Sequence, residues 1–343
     1  MKILFMGTSE FAVPSLEKLI VEGFELVGVV TQPDRPSGRG KRLTPPPVKV
    51  VSAAHDLPIH QPERVRHRDS VGVLRELQPD VIVVVAFGQI LPKAVLELPP
   101  YGCINVHPSC LPKYRGAAPI QWALINGETE TGVTIMLLDE GEDTGDIVLQ
   151  SSLPIDALDD ATTLSIRLAN LAPSLLTQAL ARISDGPPPH QPQDHSQATH
   201  APRLTKEVGQ IDWNQPADQI RNLVRGVSIW PGAYTWVKAD KPPMADDLRL
   251  KITACTVVDY LNPAKLPSGT IEVTSNKELV VFTGKGSPDR VGTQSGRDGL
   301  DGKHLRLDRV QPANKKEMDA SAFINGYRLK TGDQLFRKET PID

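Results

Sequence analysis

The tightest constraint on the fold of this 343-residue chain is a short run, residues 81–86, that reads VIVVVA. Such a run is apolar at every position and rich in β-branched side chains. It has no polar face to turn to water, so it reads as a central strand buried on both sides, as strands of parallel sheets are. Shorter apolar runs at 3–6, 26–30, 104–106 and 133–138 read as its companions. Between them lie helix-periodic segments: one capped by Thr8 or Ser9 and running to about residue 21, then 70–77, 117–126 and 161–183. This alternation predicts an α/β fold built on an open parallel sheet with helices on both faces. Sheets of that kind bind ligands beyond the carboxyl ends of their strands, which is where chemistry is expected.

Residues 185–202, DGPPPHQPQDHSQATHAP, interrupt the pattern. Apolar content collapses and Pro, Gln and His dominate, so the segment reads as a semi-extended linker. His190, His195 and His200 recur every five residues. That spacing matches no helix face and lacks supporting Cys or carboxylates, so they read as solvated side chains rather than metal ligands. Beyond the linker a helical segment at 216–224 precedes short strand candidates at 270–273, 279–282 and 304–310, separated by turn residues. This predicts a smaller β-rich domain, a barrel of the oligonucleotide-binding (OB-like) type. The expected division is 1–184, a linker at 185–204, and 205–343.

Charge follows the same division. The net of -3 conceals an excess of acidic residues in 1–200 (16 Lys and Arg against 23 Asp and Glu) and of basic residues in 201–343 (22 against 18). A basic half is suited to a polyanionic partner. Three Cys, an odd number, exclude a disulfide framework and fit a reducing compartment, so the cytoplasm is expected. The opening MKILFM is too short for a signal-peptide core, and no run approaches the roughly 18 apolar residues of a membrane span.

Three segments carry candidate chemistry. Residues 101–121 read YGCINVHPSCLPKYRGAAPIQ. Asn105 and His107 alternate along a strand end, so both side chains face the same way, and Pro108 closes the strand. An Asn amide can donate to a developing oxyanion, and a His can take or give a proton near neutral pH. Residues 138–147, LDEGEDTGDI, place five carboxylates in a glycine-containing loop after an apolar strand. One of them can orient His107, but spacing does not choose among Asp139, Asp143 and Asp146. Residues 31–49, TQPDRPSGRGKRLTPPPVK, form an exposed, Pro-flanked basic loop. Its Arg35, Arg39, Lys41 and Arg42 suit a phosphate backbone, Arg especially because guanidinium binds phosphate bidentately. The first turn, Gly7-Thr8-Ser9, is not G-x-G-x-x-G, and no phosphate-binding G-x-x-x-x-G-K-[ST] occurs. Cys103 reads as core packing, and Cys110 as a site-loop thiol with no base beside it.

Taken together, NVHPSCLPKYRGAAPIQWALINGE, TGVTIMLLDEGEDTGDI, the opening MKILFMGTSEFAVPSL, the basic loop and IDWNQPADQIRNLVRGVSIWPGAYT resemble the formyltransferases that use 10-formyltetrahydrofolate. The likeness spans essentially the whole chain, and the basic loop and second domain resemble the members that act on tRNA. The resemblance implies a Rossmann-like domain for formyl-folate and an OB-like barrel that helps hold tRNA. It implies transfer of a formyl group to the α-amine of methionine on initiator tRNA, for translation initiation, by a monomer that needs no metal. By motif, Asn105, His107 and Asp143 match the catalytic trio. Ser109, Cys110, Leu111 and Pro112 match a folate-contacting stretch, with Cys110 where the family usually has Leu. Arg39 matches a loop arginine that approaches the tRNA acceptor end.

Overall fold

A computed structural model describes residues 1–37, 40, 42–184, 190–238, 246–261, 266–285 and 302–338. The chain divides into two compact units. The first comprises residues 1–120, 129–157 and 163–202, the second 121–128, 158–162 and 203–343.

The elements of the first unit run β1 (Lys2–Gly7), α1 (Val13–Val21), β2 (Glu25–Val30), β3 (Arg35–Ser37), β4 (Arg42–Thr44), α2 (Pro47–Ala54), β5 (Ile59–His60), α3 (Arg68–Glu76), β6 (Val81–Val85), α4 (Lys93–Leu96), β7 (Cys103–His107), α5 (Pro119–Ile125), β8 (Glu130–Leu137), β9 (Ile147–Pro154) and α6 (Ala161–Ser184). α5 and α6 each run across the boundary between the units. The large sheet has the order β5-β2-β1-β6-β7-β8-β9. β6 is fully enclosed, as its sequence requires. Ile82 and Val84 lie in one buried cluster with Leu4, Met6, Val71 and Leu74. The alternate residues Val81, Val83 and Val85 point to the opposite face and are buried too. The expected parallel sheet is parallel only from β5 to β7; β8 pairs antiparallel with β7, and β9 with β8. The sequence of β8 is as apolar as a parallel strand, and strand period carries no direction. The pattern also passed over β9, an edge strand with an alternating, half-exposed burial pattern.

The expected N-cap at Thr8 or Ser9 is different too. A 3-10 turn, Glu10–Ala12, comes first, and Ser9 makes no side-chain cap. The Thr8 hydroxyl donates instead to the Phe87 carbonyl at 2.8 Å, tying the carboxyl ends of β1 and β6 together.

The described part of 185–202 is extended but not freely solvated. Gln191 exchanges backbone hydrogen bonds with Ile147 at 2.8 and 2.9 Å, and Ala201 donates to the Arg115 carbonyl at 2.6 Å. The segment is laid along the first unit, so its polar composition reflects hydrogen bonding to protein as well as to water. Among the described residues no helix is long and apolar enough to cross a membrane.

The second unit contains α7 (Ala217–Gly226), β10 (Ala233–Val237), β11 (Leu248–Asp259), β12 (Ile271–Val273), β13 (Leu279–Val281), β14 (Lys303–Pro312), β15 (Met318–Asp319), α8 (Ala320–Tyr327) and β16 (Leu335–Phe336). Its antiparallel sheet has the order β12-β13-β14-β11-β10-β16, with β15 on β14. The two ends of that order meet: Ile271 donates to Asp333, Gly332 to Ile271 and Leu335 to Gly269, at 2.8 to 2.9 Å. The sheet therefore curls into a barrel around Leu250, Ile252, Leu279, Val281, Leu305 and Leu307. Gly269 sits at the seam with φ +83°, where a Cβ would lie 2.3 Å from the Leu335 carbonyl oxygen. β11, the longest strand here, escapes sequence reading because Lys, Thr and Cys are mixed into its apolar positions.

Candidate active site

The site is assembled at the end of β7. That strand carries Asn105 and His107 on one face, two residues apart. His107 is buried, and its Nε2 lies 2.9 Å from the Tyr114 carbonyl oxygen. A carbonyl only accepts, so Nε2 carries a hydrogen and donates it. This fixes the ring and leaves Nδ1 as the nitrogen able to accept a proton. Nδ1 faces Asp143 Oδ2 at 3.5 Å. Asn105 is half-buried, and among the described residues its amide has no hydrogen-bond partner.

Asp143 reaches this place by a folded-back loop. Because β8 is antiparallel to β7, it ends beside the start of β7, where the Leu138 N–H donates to the Cys103 carbonyl at 2.8 Å. The loop must then return along β7 to put Asp143 opposite His107. Its turn includes Asp143 itself at φ +54°, a left-handed conformation that Asp tolerates better than most residues. Gly145 packs so closely that a Cβ there would lie 1.8 Å from the Leu137 carbonyl oxygen. The Gly116 N–H donates to Asp143 Oδ2 at 2.8 Å. Asp139 is turned away and accepts from Thr144 at 2.7 Å and from the Gly141 N–H at 3.0 Å. Asp146 pairs with His190. Of the three carboxylates that spacing left open, only Asp143 faces His107.

The stretch after β7 is a tight turn. Ser109 is fully buried, and its hydroxyl donates to the Lys113 carbonyl at 2.7 Å. The Thr134 hydroxyl donates to the Ser109 carbonyl at 2.7 Å and accepts from the Leu111 N–H at 3.2 Å. Leu111 and Pro112 line a cleft of about 550 Å³ together with Gln150, Arg182, His190 and Gln193; Ser109 and Cys110 do not. Burial, with Glu130 nearby, pushes the Cys110 thiol up to about 11, and burial pushes Cys103 up to about 12, so neither is a thiolate at neutral pH.

The linker histidines are all engaged. His190 pairs with Asp146, His195 Nδ1 accepts from Arg115 at 3.1 Å, and His200 Nδ1 faces Glu142 at 3.7 Å. Among the described residues, no three His, Cys, Asp or Glu side chains come together as metal ligands.

The basic loop is a short hairpin, β3 paired with β4. Arg35 is exposed and pairs with Glu63 at 2.6 Å; Arg42 is exposed as well. Arg39 and Lys41 lie outside the described residues. At the base, Asp34 accepts from Gln61 and from Lys49, both at 2.8 Å, and these contacts hold its carboxyl below the ordinary carboxylate range. Sequence reasoning missed Tyr114, Arg115, Gln193 and Thr199 around the site. Tyr114 and Arg115 lie in the segment 101–121 that drew attention for its Asn and His, and Gln193 and Thr199 lie in the stretch read as a solvated linker.

Two family models match the chain: "Formyl transferase" over residues 1–180 and "Formyl transferase, C-terminal domain" over 203–328. The chain is 43% identical to a methionyl-tRNA formyltransferase of Citrifermentans bemidjiense, over 100% of this chain and 98% of the relative. It is 46% identical to a methionyl-tRNA formyltransferase of Pelobacter propionicus, over 97% of this chain and 95% of the relative. Among solved structures, the sugar 3N-formyl transferase WlaRD, with 5-N-formyl-THF and dTDP, gives a TM-score of 0.60 at 20% identity, covering 92% of this chain and 99% of that one. HypX from Aquifex aeolicus, in complex with tetrahydrofolic acid, gives 0.59 at 15% identity, covering 99% of this chain and 52% of that one. At these identities the two structures share the fold.

Proposed function

The chain belongs to the formyl transferase family, and from that premise we infer that it moves a formyl group from 10-formyltetrahydrofolate to the α-amine of methionine on initiator tRNA, in translation initiation. The observation that carries this reading is the meeting of Asn105, His107 and Asp143 at the end of β7, in a chain alignable end to end with methionyl-tRNA formyltransferases.

The geometry supports an assignment of roles. The methionine amine attacks the formyl carbon, a tetrahedral oxyanion forms, and the carbon–N10 bond of the folate then breaks. The attacking nitrogen must lose a proton and N10 must gain one. His107, with Nε2–H held by Tyr114, receives that proton at Nδ1 and returns it to N10. Asp143, 3.5 Å from Nδ1, stabilises the imidazolium that forms in between. Asn105 donates its amide to the oxyanion, an interaction worth roughly 3–4 kcal/mol of barrier. The substrate supplies the nucleophile, so the enzyme forms no covalent intermediate.

Ser109, Cys110, Leu111 and Pro112 form the folate-contacting turn, in which Ser109 and Cys110 set the shape and Leu111 and Pro112 present the wall. Arg35, Arg39, Lys41 and Arg42 grip the tRNA backbone from the hairpin. The second unit is an OB-like barrel whose basic side chains, such as Arg249 and Lys251 on a cleft of about 300 Å³, add phosphate contacts. We assign catalysis to 1–184, the connecting segment to 185–204 and tRNA binding to 205–343, in a cytoplasmic monomer.

The test is direct. The purified chain is mixed with 10-formyltetrahydrofolate and either methionyl-tRNA or a nucleotide-linked amino sugar, and the formylated product is identified. Formyl-methionyl-tRNA is expected; formylation of the sugar alone would overturn the assignment.

A further inference from the structure

We infer that the extended segment 190–201 is a strap in which Gln193 and Thr199 act as positioning residues for the reaction, holding both of the groups that face His107. The inference rests on the formyl-transfer reading above. Neither residue is one of the reacting groups.

His107 depends on two separate pieces of backbone. The turn at 114–116 supplies the Tyr114 carbonyl that fixes Nε2 and the Gly116 N–H that holds Asp143 Oδ2. The loop at 138–146 supplies Asp143 itself. The strap is tied to both. Gln193 is 5% exposed, and its amide is fully used. Nε2 donates to the Asp143 carbonyl at 2.9 Å and to the Gly145 carbonyl at 2.7 Å. Oε1 accepts from Arg115 Nε at 3.1 Å and Nη2 at 2.7 Å. Guanidinium only donates and carbonyls only accept, so this amide orientation is the one that satisfies all four contacts.

Six residues further on, the Thr199 hydroxyl accepts from the Tyr114 N–H at 2.8 Å, and the Thr199 carbonyl accepts from the Arg115 N–H at 2.9 Å. One segment thus sets the distance between the acceptor that fixes the imidazole and the carboxylate that faces it. A buried polar network satisfied at every member is rigid, and a catalytic group displaced by about 1 Å can cost about 10²-fold in rate.

The experiment uses the full chain and four variants, with kcat and KM measured for both substrates. Gln193→Ala is expected to lower kcat by about 10- to 100-fold while KM changes by less than about 3-fold, because misplacement acts on the chemical step. Gln193→Glu keeps the Arg115 end but loses the two donations to the loop, and is expected to behave like Gln193→Ala. Thr199→Val is expected to lower kcat by about 3- to 10-fold, and Thr199→Ser, which keeps the hydroxyl, to recover most of that loss. The strap is overturned if Gln193→Glu and Thr199→Val keep the native kcat and merely melt lower, or if the loss falls on KM. Thr199 is exposed, so its pair of variants decides the matter even if Gln193→Ala does not fold.

Amide hydrogen exchange separates this question from the functional reading. If the unsubstituted chain does not formylate methionyl-tRNA, that reading fails. The strap still predicts that Gln193→Ala speeds exchange at the N–H groups of Gly116 and Gly141, and unchanged exchange there overturns it.

Discussion

The acidic loop 138–146 and the basic hairpin 35–44 look alike in sequence. Both follow an apolar strand, both are glycine-containing and both concentrate one sign of charge. In the fold they are opposites. The acidic loop doubles back along β7 and is held by buried or half-buried contacts: Gly116 on Asp143, Gln193 on two carbonyls, and Gly145 packed against Leu137. The described arginines of the hairpin, Arg35 and Arg42, stand in solvent, and Arg35 pairs with an exposed Glu63. A carboxylate that must meet one imidazole needs a fixed place. Cations that meet a long polyanion gain more from reach, since phosphate attraction is long-ranged and tolerant of geometry.

The largest expected effect tests the fixed side of this contrast. His107→Ala should lower kcat/KM by about 10²–10⁴-fold, the usual contribution of positioned proton transfer. Asn105→Ala should lower it by about 10²–10³-fold through loss of one oxyanion donor. Neither should weaken tRNA binding in a filter assay. Native turnover by Asn105→Ala would remove it from the mechanism.

Gly145→Ala comes next. Its Cβ would meet the Leu137 carbonyl oxygen at 1.8 Å, and that neighbour is backbone, so the loop must move. We expect a stability loss of about 1–3 kcal/mol, typical of forced overpacking, together with a fall in kcat. Gly40→Ala in the hairpin has open space around it, though its φ of +104° also disfavours a side chain. It should cost strain but leave kcat unchanged. Equal kinetic damage from both would erase the distinction between a fixed and a free loop.

Much of the first unit was legible from sequence because burial on two faces leaves an unmistakable run such as 81–86. The N-x-H of β7 was legible too, since alternation alone puts Asn105 and His107 on one side. The return of the acidic loop was not. It depends on β8 running antiparallel, and nothing in the residues of β8 encodes direction. Asp143 could therefore be singled out only by likeness to a family, and not by spacing. Gln193 was hidden for a similar reason. In a stretch of Pro, Gln and His it looks like solvated polar chain, and its burial is created by partners 48 and 50 residues away. β11 and the barrel seam at Gly269 likewise arise from long-range pairing.

On the free side, Arg35→Ala and Arg42→Ala should weaken tRNA binding roughly equally for all sequences. Each should reduce the dependence of log Kd on log salt by about one phosphate's worth. Thermal stability should hardly change, because an ion pair whose side chains are 60% and 67% exposed contributes about 0–1 kcal/mol. Glu63→Gln releases Arg35 from its partner and should strengthen tRNA binding slightly. If these variants lower kcat at saturating tRNA instead, the hairpin takes part in positioning and the contrast fails.

The smallest effect concerns the base of the hairpin. Asp34 is held below the ordinary carboxylate range, first by its hydrogen bond from Gln61 and then by Lys49. A carboxylate with a depressed folded pKa favours the folded arrangement when ionised. Its contribution is complete above the unfolded value and is lost as pH falls through the folded one. The Lys49 contact is about one-third exposed on both sides, so this anchor is weak and salt-sensitive. Acidification below about pH 4, near the unperturbed carboxylate value, should therefore speed hydrogen exchange in β3 and β4. Asp34→Asn should show that faster exchange already at neutral pH and lose the pH dependence, while the Asp143 loop stays protected in both proteins. Identical pH profiles for Asp34→Asn and the native chain would show that the hairpin is anchored elsewhere, and that its contrast with the Asp143 loop does not lie in its base.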